Sequence, residues 1–295
     1  MPLFRRSDGD LVRDEAPLRR FMPYLLRNRS EACIFQESIY RIALTREWLK
    51  AYNRAHEAKA TLFHLVAYAC VVALEARPRL NRFVSGGRLY QRKGVFLSFV
   101  AKTEFTDRAP GATVKLERHP AESFAAFSRR MADLVGEARH QERSVDREVA
   151  FMTRLPGPVL RLVMAVALRL DQWNLFPAFM IRPDPMFTSL FLANLGSVGV
   201  SDAFHHLYEY GNASIFGAVS APRRTPFATR DGAISEEALS VRWTFDERID
   251  DAFSCAHSLE LVKKILEDPE HWLGPADGDP VWKDEDAGSS VLLKA

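Results

Sequence analysis

Leu239-Ser240-Val241-Arg242-Trp243-Thr244-Phe245-Asp246-Glu247-Arg248-Ile249-Asp250-Asp251, with the run that follows to Leu273, is the stretch on which the fold turns. Leu239, Val241, Trp243 and Phe245 alternate with Ser240, Arg242 and Thr244, the period of a strand with one buried face. Asp246 to Asp251 then packs five charges into six residues. Phe253, Ala256, Leu259, Val262, Ile265 and Leu266 recur at helical spacing, and Asp268-Pro269 ends that helix. Charges gathered where a buried strand ends read either as a hydrated turn or as a site.

Outward from this stretch, the chain has 295 residues, 47% of them hydrophobic and 26% charged, enough to bury a full core. A net charge of +2 gives no electrostatic reason to expect nucleic acid as a partner. Cys33, Cys70 and Cys255 are far apart and lack metal spacing, which points to a reducing compartment. The N-terminus is charged and lacks the apolar core of a signal peptide, so a cytoplasmic location is expected.

Residues 1–30 form an Arg-rich N-terminal arm with a short helix near Leu18 to Leu26, lying on the body of the fold or on a neighbouring subunit. A strand is expected from Ala32 to Leu44, with Tyr40, Ile42 and Leu44 on one face, and Thr45 as cap of the next helix. Thr61 starts a helix that is apolar nearly all round and therefore buried on several sides; His64 within it reads as a satisfied core residue before it reads as a ligand. A hairpin about Ser85-Gly86-Gly87 follows, its second arm being Val95 to Val100. Pro120 opens a helix with a Phe124, Phe127, Met131, Leu134, Val135 stripe, and the charged run 137–154 reads as its solvated end and the start of another.

Leu155 to Ile181 is the most apolar piece, but its longest uninterrupted run, Leu162 to Leu168, is too short to span a bilayer. It reads as helices over the core, as an apolar flap at a pocket mouth or subunit contact, or as a membrane-surface contact. Phe187 to Leu195 and Ser214 to Val219 read as strands, Pro222 to Gly232 as a basic loop, and 274–295 as a mobile acidic tail. Strands and helices without a fixed βαβ period fit a two-layer α/β domain, a mixed sheet with packed helices, over residues 31–273.

Three landmarks in order resemble one family. They are Ala73-Leu74 with Arg77-Pro78-Arg79-Leu80-Asn81, then Ala193-Asn194-Leu195-Gly196-Ser197-Val198-Gly199, then Asp246 to Asp251 with the helix to Pro269. Together they resemble the catalytic domain of the acyltransferase component of 2-oxo-acid dehydrogenase complexes, and with it the chloramphenicol-acetyltransferase-like fold. The resemblance covers roughly residues 30–273, with an insertion near 140–185. It implies a homotrimer with an active site between subunits, coenzyme A or acyl-CoA as co-substrate with no tightly bound cofactor, and a small-molecule acyl donor and acceptor. It also implies a histidine base and a serine that donates to the oxyanion, sensible chemistry for acyl transfer.

Glu247 stands where the family has its histidine, and Ala193 where it has its serine. Asp251 is kept, its glycine neighbour is Ala252, and Asp246 and Arg248 match positions that look structural in the family. A carboxylate with a pKa about 4.3 is a poor base for a thiol. His205 and His206, with Tyr208 and Glu209 beside them, are candidates for a relocated base, oriented by Glu209 or Asp251; the plainer reading is a polar loop whose imidazoles bond to backbone carbonyls. Ala193, Asn194 and Ser197 are the candidate substrate-binding positions, and no metal site is expected. These 295 residues leave no space for a lipoyl-bearing domain or a peripheral-subunit-binding segment, so a stand-alone protein is expected. Three functions follow: a CoA-thioester-dependent acyltransferase with a non-standard site, a catalytically inactive homologue that binds acyl groups or CoA or acts as a scaffold, or an interaction protein using 155–181.

Overall fold

The computed structural model describes residues 5–102, 111–152, 154–230 and 232–282. Its spine is the strand β10 (Gly232–Asp246), numbered with the others in chain order. Leu239, Val241, Trp243 and Phe245 face the main core, as the alternation predicts. Ser240 and Thr244 on the opposite face are buried as well, so this strand is covered on both sides. β10 pairs antiparallel with β2 (Cys33–Arg41) on one side and with β8 (Ile215–Val219) on the other. Beyond β8 come β7 (Leu190–Asn194), β5 (Phe96–Lys102) and β6 (Gly111–Glu117), with β8–β7 and β7–β5 parallel. The sheet is mixed. Gly217 on β8 makes room at its centre: a Cβ there would sit 2.7 Å from the Trp243 ring.

Helices α2 (Ala43–Ala55), α3 (Leu62–Ala76), α4 (Phe124–Met152), α7 (Ala252–Glu267) and α8 (Pro269–Leu273) pack over one face of this sheet. α3 is buried along its length, as its all-round apolar sequence requires. Its N-terminus is closed by a capping box in which Thr61 and His64 satisfy each other's backbone N–H groups. His64 is thus a capping residue rather than a core one.

A small second sheet orders β1 (Gly9–Leu11), β4 (Arg88–Arg92) and β3 (Arg82–Ser85). The hairpin about Gly86-Gly87 is present, but its second arm is β4; Val95 to Val100 leaves it, with β5 in the large sheet between β7 and the edge strand β6. The arm contributes β1 and α1 (Pro17–Leu25) and lies on the body of its own chain. Its first four residues lie outside the described ones.

Several further expectations are corrected. Ile42 precedes α2 directly, so Leu44 is exposed on that helix; Thr45 is inside it and donates to the Leu266 carbonyl instead of capping. Pro120 does not open α4, which starts at Phe124 and runs unbroken through the charged stretch to Met152. Pro222 to Gly232 is mostly β9 (Arg223–Thr229), hairpinned onto the start of β10, because its side chains alternate along an exposed ribbon. Residues 274–282 pack against the fold, with Pro280 accepting from the Phe124 N–H and Trp282 stacked on Trp272, so this part of the tail is not free. Residues 283–295 lie outside the described ones.

α5 (Gly157–Gln172) and α6 (Ala178–Ile181) carry the apolar run. α5 buries none of its residues fully and leaves Val159, Leu162, Val163 and Val166 exposed. Among the described residues no helix is long and apolar enough to cross a membrane.

Candidate functional site

The Asp246 to Asp251 turn is buried over most of its length, with Glu247 half-buried and Asp251 exposed. Asp246, Ile249 and Asp250 have no accessible surface and Arg248 retains 3%. The Arg248 guanidinium donates to both Asp246 carboxylate oxygens, at 2.8 and 2.7 Å, and the Arg248 backbone N–H donates to Oδ1. Buried charge is tolerated there because it is paired and hydrogen-bonded. Arg248 Nη1 also donates to the Leu26 and Arg27 carbonyls, which ties the arm to the turn.

Asp250 receives Arg79 Nε and Nη2, at 3.2 and 3.3 Å. Burial by itself would raise the Asp250 carboxyl, but the hydrogen bonds from Arg79, Ser254 and the Asp251 backbone outweigh it and hold the carboxyl below its ordinary range. The first landmark therefore meets the third in space. Asp251 caps α7, its Oδ1 accepting from the Ser254 N–H, and so is engaged away from either imidazole.

Glu247 differs from its neighbours. Its backbone N–H donates to the Ala32 carbonyl at 2.9 Å, and its own carbonyl accepts from Arg19 Nη1 at 2.6 Å. The side chain is half-buried, and its carboxylate has no hydrogen bond or ion pair among the described residues. The turn fixes the backbone of Glu247 and leaves its carboxylate open.

Ala193 is the next-to-last residue of β7, opposite Ala218, on the face of the sheet away from the main helices. It packs in a small cluster with Phe191, Leu207, Phe216, Tyr208 and Cys33. Asn194 and Ser197 bond to each other: Asn194 Oδ1 accepts from the Ser197 N–H, and Ser197 Oγ donates to the Asn194 carbonyl. They shape the short 3₁₀ turn Leu195–Val198.

His205 lies flat on Phe216 of the same cluster, centroids 4.1 Å apart, with His206 stacked on it at 4.7 Å. Its carbonyl accepts from Thr244 Oγ1 at 2.6 Å, which fixes the segment to β10 three residues before Glu247. His205 Nδ1 lies 2.7 Å from the His206 carbonyl. A carbonyl only accepts, so in the neutral ring Nδ1 carries the proton and Nε2 has the lone pair. Glu209 does not orient either ring; its carboxylate accepts from the Ser30 N–H and hydroxyl.

The fold thus brings Ala193 and His205 to one cluster, reached from the turn through Cys33, which faces Asp246 across the β2–β10 pair. Burial pushes the Cys33 thiol up, and its S–H donates to the Arg29 carbonyl, so it is no ready nucleophile. Thr244 and Arg29 are the residues that sequence reasoning missed. Thr244 was signalled only by its place on the polar side of β10; Arg29 carried no local signal. Among the described residues no three side chains of metal-ligating type cluster. The arrangement offers two proton acceptors, His205 Nε2 and the Glu247 carboxylate, and no side-chain donor at Ala193.

Comparison of the sequence with models of protein families and with curated proteins gives no match. Solved structures do resemble the fold. The cubic core of the pyruvate dehydrogenase multienzyme complex aligns with a TM-score of 0.57 at 16% identity, over 88% of this chain and 93% of that one. Dihydrolipoamide acetyltransferase from Azotobacter vinelandii gives the same values; a serine, a histidine and an asparagine of that enzyme have been investigated for their role in its catalytic mechanism. A probable dihydrolipoamide acetyltransferase from Listeria monocytogenes 4b F2365 aligns with a TM-score of 0.56 at 13% identity, over 88% of this chain and 95% of that one. The fold is therefore that of the acyltransferase catalytic cores, as the three landmarks imply, and at such identities the likeness speaks for the fold alone.

Proposed function

We propose that this protein is a CoA-thioester-dependent acyltransferase with a non-standard site, acting in the cytoplasm on a small-molecule acceptor. The observation that carries the reading is the Glu247 carboxylate, without a partner among the described residues and set between Asp246 and Arg248, two buried neighbours whose mutual ion pair holds the turn. His205 Nε2 takes the proton from the acceptor's thiol or hydroxyl, and Glu247 accepts a hydrogen bond that orients the acceptor. The nucleophile adds to the thioester carbonyl, the oxyanion collapses, the C–S bond breaks and the departing thiolate takes the proton from His205. With alanine at 193, backbone N–H groups must stabilise the oxyanion.

A homotrimer with the site between subunits belongs to this reading. Phe35 and Phe204, 53% and 49% exposed and in edge contact on the face that carries Ala193 and His205, suit a subunit contact. Sedimentation tests it; a clean monomer would remove the intersubunit site. A catalytically inactive homologue is the second reading, favoured by the missing donor at Ala193.

The deciding experiment measures CoA binding first and then acyl transfer by wild type, His205→Ala, His206→Ala and Glu247→Gln. Loss of a general base lowers turnover on the order of 10²-fold or more, so His205→Ala should do so with CoA binding retained. Bound CoA without turnover selects the inactive homologue. Turnover unaffected by all three substitutions refutes the site.

A further inference from the structure

α5 is left uncovered on its outer side among the described residues. Its inner side is fixed by Ala167 and Leu170, which pack on Phe176, Ile181 and Phe187. Val159, Leu162, Val163 and Val166 recur at i, i+3, i+4 and i+7 and are 41–64% exposed, so the outer side is an apolar stripe. α1 carries a second one: Leu18, Phe21, Tyr24 and Leu25 are 53–68% exposed. Apolar surface gathered in this way marks a contact, where single exposed residues would not.

The two helices are neighbours. Pro23 of α1, with Arg27 just beyond it, and Ala167, Leu168 and Gln172 of α5 line one cavity. The Gly86-Gly87 turn stands between them: a Cβ on Gly86 would meet Gln172, and one on Gly87 would meet the Tyr24 ring. Charge decides what covers the stripes. Arg20 and Arg27 beside the first, and Arg161 and Arg169 on the second helix, are exposed and form no ion pair with any described residue. The sequence has no acidic residue from Pro17 to Asn28, and between Arg154 and Arg182 it has only Asp171. Asp171 is turned inward, where its carboxylate accepts from Arg6 and from the Ser85 hydroxyl. A second copy joined about a twofold axis would set these arginines against one another. An anionic bilayer answers both features at once, its headgroups taking the guanidiniums and its interface taking the apolar stripes.

We infer that α1 and α5 form a docking face for a membrane surface rich in anionic phospholipid, on which the chain lies without crossing it. Tyr24, and Trp173 at the end of α5, 58% exposed, are the residue types that favour the boundary between headgroups and acyl chains. Lipid binding is read without turnover, so the face stands or falls apart from acyl transfer.

The test mixes the full chain with vesicles of phosphatidylcholine alone and of phosphatidylcholine with phosphatidylglycerol, and measures bound protein by co-sedimentation. Binding should saturate on the mixed vesicles, weaken as salt rises, and be at least about tenfold weaker on phosphatidylcholine alone. Arg20→Gln/Arg161→Gln removes two headgroup contacts, each worth about fivefold, and should weaken binding at least about tenfold. Phe21→Ser/Leu162→Ser keeps every charge and should do the same. All four side chains are exposed, so the melting temperature should stay as in wild type. Brominated phosphatidylglycerol should also quench the part of the wild-type fluorescence that Trp173→Phe removes, a reading that does not depend on the other variants. No binding to the mixed vesicles, equal binding to both kinds, or binding unchanged in Phe21→Ser/Leu162→Ser overturns the inference. So does an oligomer that sediments without lipid and is dissociated by that variant, which would assign the face to a second copy.

Discussion

Replacing Asp246 by alanine tests whether the turn is held by its buried ion pair. Asp246 is inaccessible and Arg248 nearly so, and three hydrogen bonds run from Arg248 to this one carboxylate. Removing the acid leaves a nearly buried guanidinium that cannot lose its proton and has only the Leu26 and Arg27 carbonyls to answer its charge. Breaking such a pair from one side costs about 3–5 kcal/mol, most of it the penalty of the stranded charge. Domains carry only about 5–15 kcal/mol in all. At about 2–4 °C per kcal/mol for a chain of this size class, the melting temperature should fall on the order of 6–20 °C. Arg248→Met should cost a similar amount, since it strands Asp246 and also releases the Leu26 and Arg27 carbonyls.

The double variant Asp246→Ala/Arg248→Met strands neither charge, so it should cost clearly less than the sum of the singles. Urea denaturation of the four proteins gives the cycle, provided the slopes match. A single-variant loss under about 1 kcal/mol, or additivity within about 0.5 kcal/mol, would refute the pairing argument.

Burial lowers the His64 imidazole below its ordinary value, so the unfolded chain binds more protons in the interval between the two values; stability should be full above about pH 6.5 and fall as the pH drops toward the folded value. His64→Gln, which preserves a capping box, should abolish this slope in a pH series of melting curves, and an unchanged slope would assign it elsewhere. Gly86 has φ +56°, and a Cβ there would lie 2.2 Å from the Gln172 carbonyl oxygen. Gly86→Ala should therefore cost at least about 2 kcal/mol by strain and clash, read by denaturant titration, and a change under about 0.5 kcal/mol would show that α5 yields freely.

Periodicity was enough for much of the fold. β10 and α7 followed from alternation and helical spacing because each presents one apolar face to the same core. α3 followed from being apolar all round. Val95 to Val100 was legible as a buried strand, but its partner was not: local pattern gives the face of a strand and says nothing of which distant edge it joins. The β9 ribbon was missed because its exposed, Arg-containing alternation carries no apolar signal.

The candidate site divides in the same way. The sequence alone determined where to look, since the order of the three landmarks and the charged turn at the end of β10 are written in the chain. The resemblance written in those landmarks is also what sets Glu247 and Ala193 against the family's two chemical positions, an expectation that the acyl-transfer assays test. Only tertiary structure decided that the turn's charges are buried and paired, that Arg79 reaches Asp250 from the end of α3, and that His205 lies against Phe216 with Nε2 open. Arg29 became a buried cation at a cavity only when the arm folded back against α5. The physical reason is common to all of these: a charge or an imidazole acquires its chemistry from desolvation and from partners up to about 200 residues away, and neither is a local property of the chain.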